Sequence, residues 1–393
     1  MEFMNHSFKD NTLYLYPPTR LDSANAPQTE AEINAIIDEH PGASLVFDFD
    51  GTEYVSSAGL RVFLRMRKMT SDLKIINVSN EVYEVFEMTG FTEMITIEKA
   101  FRKLSVEGYE VIGAGANGTV YRIDPETIVK VYNNPDALPD IRNEQALARR
   151  AFVLGIPTAI SYDVVRVGEG YGSVFELLNA KSIAQLIQKD PEHLDEHVAM
   201  CSDLLKIIHS TTIKPDEMPS MKEVALDWSR FLHPYLPEDA GKRLTALIDA
   251  VPEDMHLMHG DYHIKNVMVQ NGEALLIDMD TLCHGHPVFE FASMYNAYCG
   301  FGETQPGQSW EFFGIAPEIS VAIWKKSLRM YFDTADEAEL SRIEDKARLV
   351  GYTRLMRRTI RRAGLESEEG RRKVDYYRQG ILKLLETVDS LTF

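Results

Sequence analysis

Apolar and polar residues follow one pattern over the first hundred residues of the chain. Short β-prone apolar runs at 11–16, 44–49 and 73–78 alternate with segments of helical periodicity at 24–40, 58–69 and 81–90. Pro41-Gly42 and Gly90 stand where the first and third of these helices are expected to stop. Strands alternating with helices over so short a stretch predict a small α/β unit at residues 1–100.

A different pattern begins after residue 107. Residues 109–120 and 128–132 alternate like the two halves of a β-hairpin region. From Ser182 onward the pattern is mainly that of long helices, interrupted by one strand-rich segment near 275–278. A strongly basic helical stretch at 349–364 is expected to solvate one face of its helix or to offset the acidic surface. We therefore expect a second, α+β domain over residues 107–393.

Charge and cysteine content narrow the range of functions and locations that fit this chain. The chain of 393 residues has 60 acidic and 41 basic residues, a formal charge of −19, which argues against a nucleic-acid partner because such proteins need basic surfaces. An acidic surface suits solubility or a cationic small substrate. Three cysteines without C-x-x-C spacing favour neither a disulfide framework nor a zinc site. The sequence shows no signal peptide and no run of about 20 apolar residues, so we expect a cytoplasmic protein with no membrane partner.

A glycine-rich segment opens the second domain. Gly113, Gly115 and Gly118 form G-x-G-x-x-G, which alone is a weak signal that also occurs in dinucleotide-binding turns. The residues that follow, T-V-Y-R-I, favour a strand over a helix, so we interpret the glycines as the bend of a hairpin that could lie over phosphates. Lys130 follows inside an apolar strand, and Glu144 follows on a predicted helix. A buried lysine needs a partner, and pairing with Glu144 would aim Lys130 at nucleotide phosphates.

The strongest motif lies far downstream, in L-M-H-G-D-Y-H-I-K-N and A-L-L-I-D-M-D. Asp261 and Asn266 lie five residues apart on a predicted loop, and Asp278 ends the next predicted strand. Transfer of a phosphoryl group from ATP needs a carboxylate to orient the attacking hydroxyl and oxygen ligands for Mg²⁺. This order and spacing predict Asp261 as the base, with Asn266 and Asp278 as Mg²⁺ ligands.

These motifs resemble those of the aminoglycoside phosphotransferase and choline kinase group of the protein-kinase-like fold. The resemblance implies a bilobal domain, with an N-lobe at about 107–178, a C-lobe at about 179–393 and ATP between them. It implies a hinge near 175–178, where backbone groups of Glu176 and Leu178 would meet adenine. Asp280, in the same motif, would either contact the metal or brace the loop. Glu290 stands where the family often has aspartate, and we expect that departure to alter a loop brace and leave the chemistry unchanged.

The stretch V-F-D-F-D-G-T-E-Y-V-S-S-A-G-L in the first domain admits two interpretations. Asp48 and Asp50 imitate the D-x-D-G-T nucleophile loop of haloacid-dehalogenase-type phosphatases, but the further acidic pair such an enzyme needs does not follow within this domain. Residues 10–100 resemble instead a STAS domain of the anti-sigma factor antagonist type. That resemblance implies an α/β fold, a protein partner, and a phosphorylation switch at Ser57. Ser56 or Ser57 could equally be a helix N-cap.

Together these motifs favour an ATP- and Mg²⁺-dependent kinase acting on a small-molecule hydroxyl acceptor, with the STAS domain as its regulatory module. One alternative is a nucleotide-binding pseudokinase that serves partner switching and turns over no small molecule. Another is that the kinase half phosphorylates Ser57 of its own chain or of a neighbouring chain. The filled catalytic positions favour the first interpretation.

Overall fold

The structure of the protein is a computed structural model. It describes residues 4–115, 117–214, 217–362 and 364–393. The chain forms two compact units, one made of Met1–Ser105 with Val164–Gly168 and the other of Val106–Asp163 with Glu169–Phe393. None of the helices in the described ranges has the length and apolar character needed to cross a lipid bilayer.

The secondary structure follows the predicted change of pattern. The strands are β1 His6–Lys9, β2 Thr12–Leu15, β3 Arg20–Leu21, β4 Ser44–Asp48, β5 Tyr54–Val55, β6 Leu73–Val78, β7 Thr96–Lys99, β8 Arg102–Lys103, β9 Glu110–Ala114, β10 Gly118–Arg122, β11 Thr127–Tyr132, β12 Asp163–Val167, β13 Gly170–Glu176, β14 Lys181–Ser182, β15 Leu257–Met258, β16 Val267–Gln270, β17 Glu273–Leu276 and β18 Cys283–His284. The helices are α1 Ala26–Glu39, α2 Ser57–Met69, α3 Asn80–Met88, α4 Leu138–Val153, α5 Ile183–Lys189, α6 Leu194–Ser210, α7 Met221–Leu232, α8 Glu238–Asp249, α9 Val288–Tyr295, α10 Phe301–Thr304, α11 Gln308–Phe313, α12 Pro317–Phe332, α13 Glu337–Arg361 and α14 Glu368–Leu385.

The first unit is built on a five-stranded sheet in the order β1-β2-β4-β6-β7. β1 and β2 form an antiparallel pair, whereas β2, β4, β6 and β7 run parallel. Parallel neighbours need crossover connections, and α1, α2 and α3 follow β3, β5 and β6 in the chain. Buried aromatic side chains pack edge-on between sheet and helices, with ring centroids of Phe47 and Phe63 at 5.1 Å. The α/β prediction for this part of the chain is confirmed.

The second unit begins with an antiparallel sheet in which β9, β10, β11 and β13 are neighbours in that order. α4 follows β11 and has a buried stripe that includes Ile141 and Ala148. A small three-stranded sheet, β14-β16-β17, and the pair β15-β18 lie in the helical remainder of the unit. One continuous hydrophobic core includes residues from α4 through the C-terminal helices. This unit therefore has the α+β composition that the sequence predicts.

A long helical segment after β18 positions part of the site. α9 runs without a break into a π-helical stretch, Asn296–Gly300, and then into α10. π-bulges of this kind occur often at functional sites. α13, the longest helix at 25 residues, packs against α9, α7 and α14.

Candidate active site

A cleft of about 660 Å³ lies within the second unit and collects nearly all of the predicted site residues. It is lined by the glycine hairpin, the strand β11, the segment after β13, and the loops before β16 and after β17. The predicted residues on its wall are Gly113, Gly115, Gly118, Lys130, Glu144, Glu176, Leu178, Asp261, Asn266 and Asp278. Asp280 is not on that wall, and Ser57 belongs to the other unit.

The glycine motif bends a hairpin, as predicted, and does not open a helix. β9 and β10 are antiparallel, and the amide of Gly115 donates to the carbonyl of Gly118 over 2.9 Å. A Cβ atom at Gly118 would lie 2.3 Å from the carbonyl oxygen of Val131, so only glycine allows β10 to approach β11 this closely. A Cβ at Gly115 would meet nothing within 4 Å. The last glycine of the motif therefore has a packing role that Gly115 does not share.

Lys130 links the two walls of the cleft. Its ammonium group lies 3.2 Å from Oε1 of Glu144 and 3.0 Å from Oδ1 of Asp278. Burial alone would lower the pKa of Lys130, but the charges of Asp278 and Glu144 raise it above its ordinary value. Glu144, itself buried, also accepts a hydrogen bond of 2.7 Å from the hydroxyl of Tyr132. The lysine is therefore a fixed cation, paired with the predicted glutamate and with a second carboxylate across the cleft.

Asp278 lies slightly beyond its predicted place at a strand end. β17 ends at Leu276, and Asp278 adopts a left-handed backbone conformation with φ 63°. Such a conformation is uncommon for a residue other than glycine and occurs often at functional sites. Asp280 has an exposed surface, yet burial of the carboxyl and the neighbouring charges of Asp278 and Glu144 raise its pKa to about 7. The carboxylates at this end of the cleft therefore outnumber the cations that balance them.

Asp261 lies on the loop between β15 and β16. Nδ2 of Asn266 donates to the backbone carbonyl of Asp261 over 3.0 Å, which fixes the two predicted residues relative to one another. Burial by itself would raise the pKa of Asp261, but His263, whose Nε2 lies 3.6 Å from the carboxylate, and Arg354 lower it to about 2. Asp261 is therefore an ionised acceptor on the cleft wall.

Glu290 holds the loop that carries Asp261. Its buried carboxylate accepts hydrogen bonds from the amides of His259 at 2.6 Å, Gly260 at 3.1 Å and Tyr262 at 3.4 Å. Nε2 of His209 lies 3.7 Å from the same carboxylate. The brace expected at this position is thus present, with glutamate in place of the aspartate common in the family.

The backbone conformation of the loop that carries Asp261 explains why it contains Gly260. Gly260 has φ 81°, and a Cβ there would lie 2.4 Å from the carbonyl oxygen of Thr281. Thr281 in turn donates its hydroxyl to the carbonyl of His259 over 2.8 Å. The loop is therefore locked from two sides, by a carboxylate and by a threonine.

The predicted hinge follows β13. The amide of Leu177 donates to the carbonyl of Glu126 over 2.6 Å. Glu176 and Leu178, on either side of it, line the cleft. This is the arrangement in which backbone groups of alternate residues can face a bound base.

The two serines of the first unit have separate environments. Ser56 is the N-cap of α2, and its hydroxyl accepts from the amides of Ala58 and Gly59. Ser57 is the first helical residue and is exposed. The open question of the cap is settled in favour of Ser56, which leaves the Ser57 hydroxyl accessible at a helix N-terminus.

The phosphatase-like segment D-F-D-G-T has a structural role in the first unit. Oδ1 of Asp48 accepts from Nδ2 of Asn77 at 2.8 Å and from the amide of Asp50 at 3.0 Å, so it braces the turn after β4. Asp50 is exposed and lies 3.5 Å from the ammonium group of Lys103. Both carboxylates are thus accounted for by contacts within the first unit.

Two residues that act on Asp261 were not singled out from the sequence. His263 lies in the same motif two residues further on, where its spacing could have drawn attention. Arg354 is on α13, 93 positions downstream, within the basic run that the sequence predicts to solvate one face or to offset the acidic surface. Its only sequence signal is that the arginines recur every fourth residue.

Comparison with known proteins agrees with this division of the chain. A model of the STAS domain matches residues 4–104, and a model of the phosphotransferase enzyme family matches residues 108–318. A Bordetella bronchiseptica protein named as an anti-sigma factor antagonist, BtrV, is 37% identical over 81 residues, which cover 20% of this chain and 69% of that protein.

Solved structures resemble the second unit in fold. The ADP-bound aminoglycoside phosphotransferase APH(2'')-Ib matches with a TM-score of 0.50 and 14% identity, over 78% of this chain and 99% of its own. A choline/ethanolamine kinase family protein from Mesorhizobium loti matches with a TM-score of 0.48 and 12% identity, over 72% of this chain and 90% of its own. The chain belongs to the phosphotransferase enzyme family, with a STAS domain of the anti-sigma factor antagonist type ahead of its phosphotransferase segment.

Proposed function

We propose that the second unit transfers the terminal phosphoryl group of ATP to a hydroxyl group of a small molecule. The observation that carries the proposal is the convergence of Asp261, Asn266, Lys130 and Asp278 on one cleft. Their positions in sequence are far apart, and their chemistry is what phosphoryl transfer needs: an oriented carboxylate, a fixed cation and oxygen ligands. The ADP bound to the aminoglycoside phosphotransferase of similar fold is further support for a nucleotide in this cleft.

Asp261 is the proposed catalytic base. Because its pKa is about 2, it is ionised at neutral pH and can accept a hydrogen bond from the acceptor hydroxyl. So weak a base takes up a proton only as the hydroxyl oxygen bonds to phosphorus and becomes more acidic. Its main contribution is therefore orientation of the nucleophile, which explains why the surrounding loop is held so firmly.

The nucleotide is proposed to lie under the glycine hairpin. Lys130, held by Glu144, would contact the phosphates, and the backbone of Glu176 and Leu178 would meet the base. Gly113, Gly115 and Gly118 would allow the hairpin backbone to approach the phosphates. An ammonium group with a raised pKa stays protonated at neutral pH, as a phosphate contact requires.

Mg²⁺ is the proposed metal, and the residues present fit it. In the described part of the chain no three His, Cys, Asp or Glu side chains are grouped for metal binding, so the proposed ligand set depends on an amide oxygen, that of Asn266, together with Asp278. Because Nδ2 of Asn266 is engaged with the Asp261 carbonyl, its Oδ1 is available to a cation. Burial and then the charges of Asp278 and Glu144 raise the pKa of Asp280, and a divalent cation would relieve the repulsion among these carboxylates. Bound there, Mg²⁺ would neutralise phosphate charge; Asp280 is proposed as a further ligand.

The first unit is proposed as a regulatory module that binds a protein partner, with Ser57 as its phosphorylation site. An exposed hydroxyl at a helix N-terminus accommodates an added phosphate well, since free amides and the helix dipole favour an anion there. We propose domain limits of 1–100 and 107–393, with lobes at about 107–178 and 179–393; the family matches at 4–104 and 108–318 support them. The cytoplasm, which holds ATP and keeps cysteines reduced, is the proposed location.

Asp261→Asn tests the enzymatic proposal. We expect Mg·ATP turnover, measured as ADP release across a panel of hydroxyl compounds, to fall on the order of 1000-fold or more, because a neutral amide lacks the charge that orients the hydroxyl and cannot accept its proton. Asp50→Asn is the matched control, since it makes the same substitution in the phosphatase-like loop of the other unit, and it should leave turnover unchanged. Undiminished activity of Asp261→Asn would remove the assignment, and binding of Mg·ATP without turnover of any compound would favour the pseudokinase.

A further inference from the structure

The basic run of α13 includes arginines whose charges act on Asp261. Arg354, Arg358 and Arg362 follow at intervals of four, which places them on one side of the helix. The sequence alone predicts that this run solvates one face of the helix or offsets the acidic surface. The contacts of Arg354 and Arg358 indicate that these two side chains pack against other parts of the second unit.

Arg354 is anchored to α9, the helix that also carries Glu290. Its Nη1 donates to Oγ of Ser293 over 2.8 Å, and its guanidinium carbon lies 5.6 Å from the ring centroid of Trp228. Ser293 is three residues after Glu290 on α9, hence on the same side of that helix, and Glu290 holds the amides around Asp261. The positive charge of Arg354 reaches Asp261 and contributes to the lowered pKa of that carboxyl.

Arg358 lies one turn further along α13. Its guanidinium carbon is 4.9 Å from the ring centroid of Phe301 on α10. Burial, followed by the charges of Arg362 and Arg354, lowers the pKa of Arg358, and the charge of Asp261 acts in the opposite direction. The basic charges here exceed the nearby counter-charge.

Neighbouring arginines on the same helix have carboxylate partners. Arg357 lies 2.8 Å from Asp227, and Arg348 lies 3.5 Å from Asp345. Over the ranges that the structure describes, Arg354 and Arg358 have no carboxylate within 4.0 Å of their guanidinium nitrogens. Two such guanidinium groups, whose charges act on Asp261, are suited to bind an oxyanion, because their planar N–H donors match a carboxylate or a phosphate.

We propose that Arg354 and Arg358 form an anion subsite for the acceptor. The compound whose hydroxyl group Asp261 orients for phosphorylation then carries a carboxylate or phosphate group of its own. The inference rests on the proposed function and narrows its substrate class. A polyamine acceptor would meet like charge at this place, which disfavours it. The expectation from overall acidity, a cationic substrate, is thereby reversed for the site itself.

The first experiment compares acceptors that differ only in charge. Glycerol, a pentose and a hexose are each offered in neutral, amino, carboxylate and phosphate-ester form, and ADP release from Mg·ATP is measured with the full chain. We expect the highest kcat/KM within a skeleton for one anionic form, and the carboxylate and phosphate arms identify which. A neutral or amino form that surpasses its anionic counterparts would overturn the subsite while leaving the phosphotransferase function intact.

Variants then connect the preference to the arginines. Arg354→Gln and Arg358→Gln should each raise KM for the anionic acceptor roughly 10- to 100-fold, with little change for a neutral analogue and in KM for ATP. Arg354→Lys keeps the charge but loses the planar pair of donors, so an intermediate KM is expected. Arg342→Gln, an exposed arginine near the start of the same helix, is the matched control. Equal KM values for all variants would refute the assignment.

A binding measurement separates the subsite from catalysis. Wild-type protein saturated with Mg²⁺ and a non-hydrolysable ATP analogue should gain thermal stability with the carboxylate or phosphate probes, and Arg354→Gln should lose that gain. Binding without turnover would uphold the subsite and count against the phosphotransferase function. If no anionic probe is either bound or turned over, the subsite is refuted.

Discussion

Glu290→Gln is the most direct test of how the loop that carries Asp261 is held. Glu290 is fully buried, and its two oxygens receive the backbone amides of His259, Gly260 and Tyr262. Glutamine has nearly the same shape, but it replaces one acceptor oxygen with an NH₂ donor and removes the negative charge. The substitution therefore changes the hydrogen bonding of the loop without creating a cavity.

The cost follows from the geometry of these three bonds. Whichever way the new amide is oriented, at least one loop N–H faces a donor in a buried site, which costs about 1–3 kcal/mol. The bonds that remain lose their charge assistance, about 1 kcal/mol each. Part of this is offset because a neutral amide is less costly to bury than a carboxylate. We expect a net loss of about 2–4 kcal/mol in the free energy of unfolding of the second unit.

Tryptophan fluorescence in urea measures this loss selectively. The three tryptophans of the chain all lie in the second unit, at Trp228, Trp310 and Trp324, so the signal is independent of the first unit and of its own transition. Glu290→Asp is the companion variant, since it keeps the charge but shortens the reach to the loop by one methylene. We expect turnover of ATP to fall in both variants because Asp261 is no longer held in place.

The stability difference between wild type and Glu290→Gln depends on pH with a definite sign. Burial alone would raise the pKa of Glu290, but the imidazole of His209, 3.7 Å away, and then His259 and the amide of Gly260 lower it. A carboxylate with a depressed pKa stabilises the folded state above its unfolded pKa, about 4.3, and this stabilisation is lost as the pH falls through the folded value. The difference between wild type and Glu290→Gln should therefore be largest near neutrality and shrink on acidification. An unchanged urea midpoint at pH 7, or a difference that grows in acid, would refute the reasoning.

Three further predictions concern the hairpin, the cleft lysine and the serines. Gly118→Ala should destabilise the second unit by about 1–3 kcal/mol because its Cβ would collide with a backbone carbonyl, whereas Gly115→Ala should leave the urea midpoint unchanged; equal midpoints would contradict this. Lys130→Met, which leaves two carboxylates without their cation, should lower kcat/KM for ATP roughly 100- to 1000-fold, and a value within threefold of wild type would exclude the phosphate contact. Ser56→Ala should cost about 1 kcal/mol of α2 stability through loss of the N-cap, seen as faster hydrogen exchange of its first amides, while Ser57→Ala should not alter that exchange; the reverse result would reassign the cap.

Periodicity predicted the first unit closely, because its helices carry their own start and stop signals. α2 begins where Ser56 caps it, and the strand predicted at 73–78 is β6 within the same limits. The hairpin and the Lys130–Glu144 pair were also accessible, since an apolar strand with one lysine demands a carboxylate partner. These features are local, or they involve one pair of residues in which a charged side chain in an apolar segment signals that it needs a partner.

Features that depend on the approach of distant segments were harder to predict. The left-handed backbone of Asp278 lies two residues after a strand that was expected to extend to it. The choice between Ser56 and Ser57 as N-cap depended on one residue of helix register. Arg354 acts on Asp261 across 93 positions of sequence, and nothing in the basic run itself indicates which of its arginines lack a partner.

The arginines of α13 also explain why net charge is a poor guide to the acceptor. A formal charge of −19 describes the whole chain, but charges further than about 8 Å through solvent are largely screened at physiological salt. What an acceptor meets at Asp261 is set by the few groups within that distance. Arg354, whose charge acts on Asp261, is held by a serine and an aromatic ring, so the binding of an anion does not have to order this side chain. The charge of the acceptor is therefore expected to follow the two unpaired guanidinium groups and not the average of the surface.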